Sequence, residues 1–326
     1  MNMTSRREVL KGLALATGAT LVPWRATGAQ SSNPTDALGA LMPQRVLGQT
    51  GMKISMLIVG GSHIGRPDEA TAQAVIEAAI ERGIRTFETA QLYQNGRSEE
   101  RYGRYLTPKY REHVLVFTKT MAEDARTAQE HLEGSLRRMK LDYIDLWQLH
   151  DVQRLSEIEG RVNRVLDVML KAKEQGKVRH IGFTGHTDWR VHQRVLDTTD
   201  QFETCQMPVN VLDPGYESFT THIMPIVNER NMGMLAMKTL SGGGILTGRG
   251  ATPRAVPDRL SLEDLFRFVW SLPVHGLVSG MAAVEHLQDN AAFAARFREM
   301  SEAERDRLIA AVDDISRSGE VEYYKV

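Results

Sequence analysis

The feature that most constrains the fold is a regular alternation of short apolar runs with segments of helical periodicity. Eight apolar runs begin near Met56, Ile84, Val114, Ile144, Val178, Phe202, Met232 and Gly276. They lie about 30 residues apart, which is the length that a strand, a crossover helix and their connections require. Apolar runs of this kind are typical of parallel strands that are buried on both faces. We therefore predict an α/β fold in which eight units close into a (β/α)8 TIM barrel.

Two further segments flank the predicted barrel. Residues 46–54 are typical of an N-terminal β-hairpin, which could plug the amino end of the barrel. Residues 301–315 predict a C-terminal helical extension, with Ser301 as the N-cap and Glu304 three residues later. An open doubly wound sheet is the main alternative, and it normally carries G-x-G-x-x-G after its first strand. Residues 60–65 read GGSHIG, which does not fit that pattern.

The first residues of the chain have the three-part layout of an export signal. Charged residues come first, an apolar stretch follows, and small residues end at Ala29. Residues 5–11 read SRREVLK, a near-complete twin-arginine pattern. We expect residues 1–29 to be a twin-arginine (Tat) signal peptide, so that the protein folds in the cytoplasm and is then exported to the periplasm or beyond by the twin-arginine machinery. We expect residues 30–42 to be a linker and residues 43–326 to be a single domain.

Composition and charge exclude several classes of protein. The chain has 40 Lys and Arg against 41 Asp and Glu, so no basic excess indicates nucleic-acid binding. Cys205 is the only cysteine, which rules out an intrachain disulfide and a cysteine-based metal site. The ten histidines show no metal-binding spacing, and we expect no metal. No apolar run reaches the roughly 20 residues that a membrane span needs. A monomer is the default expectation.

Four polar side chains occupy the ends of predicted strands or the loops that follow them. Glu88, Lys119 and His150 close the second, third and fourth runs, and Tyr93 follows Glu88 in the loop. The active site of a (β/α)8 barrel lies at the carboxyl ends of its strands, so we expect the four to meet. An ammonium beside a phenol lowers the pKa of the phenol, and an imidazole can hydrogen-bond a carbonyl oxygen. The set suits addition of hydride and a proton to a C=O group. Taken singly, each residue could instead be a packing or ion-pairing group.

Four segments, in order along the chain, resemble the aldo-keto reductase family. Residues 88–99 resemble its D-T-A-x-x-Y…G-x-S-E segment, and residues 135–150 resemble the approach to its active-site histidine. Residues 176–184 resemble its fifth strand, and residues 242–248 resemble the loop after its seventh. The resemblance implies a barrel that binds NAD(P)H without a Rossmann domain and reduces a small-molecule carbonyl substrate.

The resemblance also implies a role for each site residue. It makes Tyr93 the proton donor, Lys119 and Glu88 the groups that tune it, and His150 the group that orients the carbonyl. The residues that it implies for cofactor binding are Gly60, Thr184, Gly185, His186, Gln206, Lys238, Leu240, Gly242, Gly244, Leu246, Gly280, His286, Asp289 and Asn290. Relatives that prefer NADPH have Lys and Arg where this chain has Gly280 and His286. Loss of two cations weakens recognition of the 2′-phosphate, which favours NADH or dual use and leaves the choice open.

Three functions stay open, and one departure from the family pattern supports the second of them. The family has Asp where this chain has Glu88, and one extra methylene exceeds the half ångström or so that catalytic geometry tolerates. The first function is a reductase of aldehydes or ketones, with a sugar as one candidate substrate. The second is an exported protein that binds or senses the cofactor with little turnover. The third is an isomerase or epimerase that holds NAD(P) tightly.

Overall fold

Eight parallel strands close into a barrel in the computed structural model, which describes residues 34–326 apart from the side chain of Glu159. Each strand pairs with the next along the chain, and the eighth pairs with the first. Every strand begins within two residues of its predicted start, so the barrel prediction is confirmed. In chain order the strands are β1 (Leu57–Gly60), β2 (Thr86–Glu88), β3 (Leu115–Thr120), β4 (Ile144–Leu149), β5 (Val178–Thr184), β6 (Thr204–Pro208), β7 (Gly233–Met237) and β8 (Gly276–Gly280).

Helices follow the strands and surround the barrel. Asp68, Asp124 and Asp188 cap three of them by accepting a backbone N–H of the first turn, which satisfies a donor that has no partner within the helix. The α-helices are Glu69–Glu81, Arg97–Arg101, Thr107–Tyr110, Ala125–Met139, Asn163–Glu174, Trp189–Thr198, Phe219–His222, Met224–Glu229, Gly244–Thr247, Leu262–Trp270, Val284–Ala295, Glu302–Ala311 and Asp313–Ser316. Tyr102–Leu106 and Ile158–Val162 are π-helical, and the 3-10 turns are Gly48–Thr50, Arg111–His113, Asp213–Gly215 and Ser241–Gly243.

The predicted hairpin closes the amino end of the barrel. Its strands, Gln44–Val46 and Lys53–Ser55, pair in antiparallel fashion. Gly48 turns between them with φ of +47°, and a Cβ there would lie 2.5 Å from the backbone nitrogen of Gly233. Only glycine fits a left-handed turn this close to another backbone. The hairpin contributes two side chains to an apolar layer inside the barrel, whose members are Leu47, Ile54, Ile58, Phe117, Leu146 and Leu235.

The structure differs from the linker predicted for residues 30–42. Thr35–Asp36 pairs with Gly39–Ala40 in a small antiparallel sheet. The guanidinium of Arg85 donates to both carboxylate oxygens of Asp36, at 2.7 and 3.1 Å, and Met42 is buried. Contacts with the barrel order residues 34–42. The sequence of this segment has no helical or strand periodicity, so it does not indicate these contacts. The predicted signal peptide and residues 30–33 lie outside the described residues.

The C-terminal helical extension is confirmed. Glu302–Ala311 begins at a capping box, in which the Ser301 hydroxyl accepts the N–H of Glu304 and the Glu304 carboxylate accepts the N–H of Ser301. After the short helix Asp313–Ser316, the last residues pack against the loops at the carboxyl ends of the strands. Among residues 34–326, no helix has both the length and the apolar character that crossing a bilayer demands.

Candidate active site

The four predicted catalytic residues lie together at the carboxyl end of the barrel. Lys119 follows the inward-facing Phe117 by two residues, so its side chain also points inward, where it forms an ion pair with the carboxylate of Glu88. The Lys119 ammonium also lies 3.2 Å from the hydroxyl oxygen of Tyr93. The rings of Tyr93 and His150 are nearly perpendicular, with centroids 5.7 Å apart. The structure therefore brings a phenol, an ammonium, an imidazole and a carboxylate to one place.

The loop that carries Tyr93 is held by hydrogen bonds at its two ends, near Thr89 and Ser98. The Ser98 hydroxyl lies 2.8 Å from the carbonyl oxygen of Gly61 and 2.7 Å from the hydroxyl of Thr89. A Cβ at Gly61 would lie 2.6 Å from the carbonyl oxygen of Glu88, so no larger residue fits between these segments. The loop that carries Tyr93 is therefore held against β1 and β2.

A second buried network ties the same loop to β3. One carboxylate oxygen of Glu99 accepts the hydroxyl of Thr118 at 2.6 Å, and the other accepts the guanidinium of Arg138 at 2.7 Å. Glu99 is fully buried, so its charge depends on these partners. Thr118 precedes Lys119 in the chain, and the network thus links the loop of Tyr93 to the strand of the lysine.

Burial controls the pKa values of Tyr93 and Lys119. It raises the pKa of Tyr93 above the usual value of about 10, and the negative charge of Asp151 raises it further. Burial also lowers the pKa of Lys119 well below its usual value. The expectation that Lys119 lowers the pKa of Tyr93 is therefore wrong, because loss of solvent outweighs the charge of one partly neutralised neighbour. Tyr93 stays protonated at neutral pH.

His150 is neutral at neutral pH and is held by its backbone. Burial, followed by the positive charges of Lys119 and Arg161, lowers the pKa of His150 well below its usual value. Its N–H donates to the carbonyl oxygen of Thr120 at 2.8 Å, and its carbonyl oxygen accepts Arg161 at 2.5 Å. Sequence reasoning missed Arg161, which lies in a π-helical turn and follows no predictable periodicity. The ring nitrogen Nδ1 of His150 is buried without a hydrogen-bond partner among residues 34–326.

Gln206 is free to bind an amide ligand, whereas Thr184 already has a partner. The Gln206 side-chain oxygen accepts the amide of Gln148 at 3.0 Å, and its own NH₂ lies 3.8 Å from the sulfur of Met237. A thioether is a weak acceptor, so this NH₂ can donate to a carboxamide oxygen. The hydroxyl of Thr184 accepts the backbone N–H of Asp151 at 2.9 Å.

Gly185 and His186 follow β5 and lie near His150. A Cβ at Gly185 would lie 2.7 Å from the ring of His192, which explains the glycine by packing. His186 Nε2 lies 3.3 Å from a carboxylate oxygen of Asp151. Burial lowers the pKa of His186, and the charge of Asp151 opposes that shift. Asp151 had no signal in the sequence beyond its place after His150.

The loop after β7 offers open backbone and an unpaired ammonium. Gly242 and Gly243 have φ of +65° and +101°, and nothing lies within 4 Å of a Cβ placed on Gly243. Lys238 adopts φ of +59°, and its ammonium makes no hydrogen bond or ion pair with the described residues. Burial lowers its pKa. The backbone N–H of Gly243 already donates to the carbonyl oxygen of Leu240 at 2.8 Å, so the group of this loop that suits a phosphate ligand is the Lys238 ammonium. Leu240, Gly244 and Leu246 complete the predicted set in this loop.

The residues predicted around the adenine are less concentrated. His286 and Asp289 are exposed on the helix Val284–Ala295. Asn290 is buried and donates to the hydroxyl of Ser279 at 3.2 Å, so it fixes the helix to β8. Gly280 is exposed, and a Cβ there would overlap the ring of His63.

Gly60 has a packing role. It ends β1, and a Cβ on it would lie 2.9 Å from the carbonyl oxygen of Ser279 in β8. The residue thus allows the first and last strands to close the barrel.

No group of three or more His, Cys, Asp or Glu side chains in the described part of the chain is placed to hold a metal ion.

Comparison with known sequences identifies relatives of the chain. Residues 56–312 match the sequence model of the Aldo/keto reductase family. Aldo-keto reductase YhdN of Bacillus subtilis (strain 168) is 30% identical over 208 residues, which are 59% of this chain and 58% of that protein. L-galactose dehydrogenase of Arabidopsis thaliana is 29% identical over 224 residues, which are 63% of this chain and 67% of that protein. The matched segment thus spans less than two thirds of the Bacillus relative.

Solved structures have the same fold. Aldo-keto reductase AKR11C1 from Bacillus halodurans, in its holo form, has a TM-score of 0.71 and 21% identity, with 83% of this chain and 96% of that chain covered. An aldo-keto reductase from Klebsiella pneumoniae in complex with NADPH has a TM-score of 0.68 and 20% identity, with 84% and 96% covered. Since the family model matches most of the sequence and the barrel carries the family's residues at its mouth, the chain belongs to the aldo/keto reductase family.

Proposed function

We propose that the protein reduces an aldehyde or ketone with NAD(P)H and that Tyr93 donates the proton. The observation that carries the proposal is the 3.2 Å contact between the Lys119 ammonium and the Tyr93 hydroxyl oxygen, with Glu88 paired to the same ammonium. A phenol whose oxygen contacts an ammonium can release its proton, because the ammonium stabilises the phenolate that remains.

The residues of the site divide the chemistry among them. When bound, NAD(P)H would supply a hydride to the carbonyl carbon, so the residues of the site must stabilise the negative charge on the substrate oxygen. Tyr93 is protonated at neutral pH and gives its proton to that oxygen. Lys119 stabilises the resulting phenolate by hydrogen bonding, and its lowered pKa helps it return a proton to Tyr93. Neutral His150 keeps one N–H, with which it can orient the carbonyl.

Three parts of the site fit the cofactor. The NH₂ group of Gln206 would hold the nicotinamide carboxamide. The ammonium of Lys238 would hold the phosphates, beside the exposed turn at Gly242. No lysine or arginine occupies the positions of Gly280 and His286, so we propose use of NADH, or of NADH and NADPH alike.

Replacement of Tyr93 tests the proposed mechanism. Tyr93→Phe should lower kcat for carbonyl reduction at least about 100-fold, the scale of general acid catalysis, while the Kd of NADH or NADPH changes less than about twofold. Tyr105→Phe is a matched control, because Tyr105 binds Glu69 on the outer helices. Turnover by Tyr93→Phe at the rate of the wild-type protein would overturn the assignment.

We also propose export through the twin-arginine pathway, supported by the SRREVLK segment and the small residues before Gln30. The test is cell fractionation of the full chain and of the double variant Arg6→Lys, Arg7→Lys in a bacterial host with a twin-arginine system. We expect the unchanged chain outside the cytoplasm, shortened at Ala29, and the double variant retained at full length. Equal distribution of the two would contradict export by this route.

A further inference from the structure

We propose that the C-terminal tail, residues 320–326, holds the cofactor-binding loops in place, and that Tyr324 is a positioning residue for Lys238. The inference rests on the proposed function, since it assigns the tail a part in binding the same cofactor. Nothing in the sequence pattern of the tail indicated this part. The evidence is the set of contacts that the tail makes at the mouth of the barrel.

A buried ionic cluster anchors the tail. The ammonium of Lys325 lies 2.7 Å from a carboxylate oxygen of Asp213, 2.8 Å from one of Glu322 and 2.9 Å from the carbonyl oxygen of Tyr216. The side chains of Lys325, Asp213 and Glu322 are at most 1% exposed. Charges buried this deeply are stable only when all partners are in place, so the tail has one defined position beside the loop that follows β6.

Tyr324 is held by two hydrogen bonds of its hydroxyl and by contacts of its ring. Its hydroxyl donates to Glu322 at 2.9 Å and accepts the side-chain amide of Asn210 at 3.2 Å. The ammonium of Lys238 lies 5.0 Å from the ring centroid, and the ring of His186 lies 5.6 Å away at an angle of 77°. Tyr324 thus places a rigid aromatic ring between the loops that follow β5 and β7.

The rest of the tail follows the same loops. The Tyr323 hydroxyl lies 3.1 Å from the Cβ position of Gly242, and Val321 lies 3.0 Å from that of Gly244. The guanidinium of Arg249 stacks on the Tyr323 ring at 3.9 Å. The backbone N–H of Val326 donates to the carbonyl oxygen of Thr187 at 3.0 Å. One segment therefore contacts three consecutive loops, including the glycine-rich loop that would receive the phosphates.

The ring determines where the Lys238 ammonium can lie. An aromatic face attracts a cation without using its N–H groups, so Lys238 is held while all three donors stay available. A carboxylate at the same place would neutralise the ammonium and compete with a phosphate. Without the ring, the long lysine side chain regains rotamers that must be lost again on binding. Tyr324 should therefore act on cofactor affinity and leave the chemical step alone.

Cofactor affinity measured without turnover tests this role. Tyr324→Leu should raise the Kd of NADH and NADPH, followed by quenching of tryptophan fluorescence, about tenfold, while kcat at saturating cofactor stays within about twofold. Tyr324→Phe keeps the ring face and should stay within about threefold in Kd. Tyr143→Leu is a matched control, because Tyr143 lies under Arg111 and Arg179 before β4, and its Kd should equal that of the wild type.

A second pair of variants covers the case in which Tyr324→Leu does not fold. Lys238→Met should raise the Kd about tenfold, and Lys238→Arg, which keeps a cation on the ring, should stay within about threefold. Unchanged affinity in Tyr324→Leu or Lys238→Met overturns the role of the tail and leaves the reductase proposal intact. Cofactor binding without carbonyl reduction in the wild type overturns the reductase proposal alone. A wild type that binds neither nucleotide overturns both.

Discussion

Glu88 and Lys119 form a direct ion pair inside the barrel, where their side chains are 2% and 1% exposed. The family pattern that the chain resembles has Asp at the position of Glu88, with a side chain shorter by one methylene. The structure shows that the glutamate reaches the ammonium and that the ammonium still reaches the Tyr93 hydroxyl. With a glutamate at position 88, the Lys119 ammonium therefore keeps contact with both the carboxylate and the phenol.

Shortening Glu88 tests this adaptation. Glu88→Asp withdraws the carboxylate by about one bond length, more than the half ångström or so that a catalytic site tolerates. We expect kcat to fall about tenfold, with a small loss of stability because the buried ammonium keeps a more distant partner. Glu112→Asp, an exposed control, should behave as the wild type in steady-state kinetics. A rise in kcat for Glu88→Asp would instead support the hypothesis of a cofactor-binding protein with little turnover.

The pH dependence of turnover should show no titration of His150 near neutrality. Burial and the charge of Lys119 lower the pKa of His150 well below its usual value of about 6.5. A base with a lowered pKa gains its proton only at a lower pH, so the imidazole stays neutral in the range where a free imidazole takes up its proton. We therefore expect that His150 causes no change in kcat at saturating substrate between pH 7.5 and 5.5. A fall in kcat with a midpoint near 6.5 that is absent in His150→Gln would contradict this expectation.

The barrel could be predicted from the sequence because burial on both faces gives most of its strands a short apolar run. Residues 34–42 and 320–326 could not be predicted in the same way, because ion pairs with distant residues order them. Asp36 binds Arg85, 49 positions away, and Lys325 binds Asp213, 112 positions away. Neither contact leaves a periodic signal in the segment that it fixes. The same limit explains why a linker was expected before residue 43 and why the tail was overlooked.

Within the site, position was easier to predict than ionisation. Glu88, Lys119 and His150 are found from the sequence because strand ends of a barrel converge. The pKa of Tyr93 was expected to fall and is raised instead, because its direction depends on how much solvent the folded loop excludes. Arg161 holds the backbone of His150 from a helix turn whose place in space no local pattern reveals.

His192 should make the protein less stable as the pH falls. Its ring packs against Phe183 and Phe219, with centroids 5.2 and 5.0 Å apart, and burial lowers its pKa to about 3. The unfolded chain, with a pKa near 6.5, binds a proton between pH 6.5 and 3 that the folded state refuses. The stability that the neutral, buried His192 ring contributes is therefore fully present above pH 6.5. As the pH falls from 6.5 toward 3, the free energy of unfolding decreases by about 1.4 kcal/mol per pH unit.

Urea unfolding at pH 6.5, 5.5 and 4.5 measures this effect. His192→Leu should lose stability less steeply with falling pH than the wild type, by about 1.4 kcal/mol per unit. Gln201→Leu, at an exposed position without an ionisable side chain, is the control and should keep the wild-type slope. Equal slopes for wild type and His192→Leu would show that the ring is protonated in the folded state.

The hairpin plug should stabilise the barrel without taking part in catalysis. Leu47 is fully buried in the apolar layer that contains Phe117. Phe117 is the inward-facing residue of β3 that precedes Lys119. Leu47→Ala leaves a cavity and should cost about 2 to 5 kcal/mol in the free energy of unfolding. Val46→Ala, at a side chain that is 49% exposed, should cost less than about 0.5 kcal/mol. At 25 °C, well below the unfolding transition, kcat of Leu47→Ala should stay within about twofold of the wild-type value. The reason is that the ion pair with Glu88, on the side of Lys119 away from the apolar layer, fixes the ammonium. A loss of kcat much larger than twofold in the folded variant would show instead that the apolar layer sets the position of Lys119.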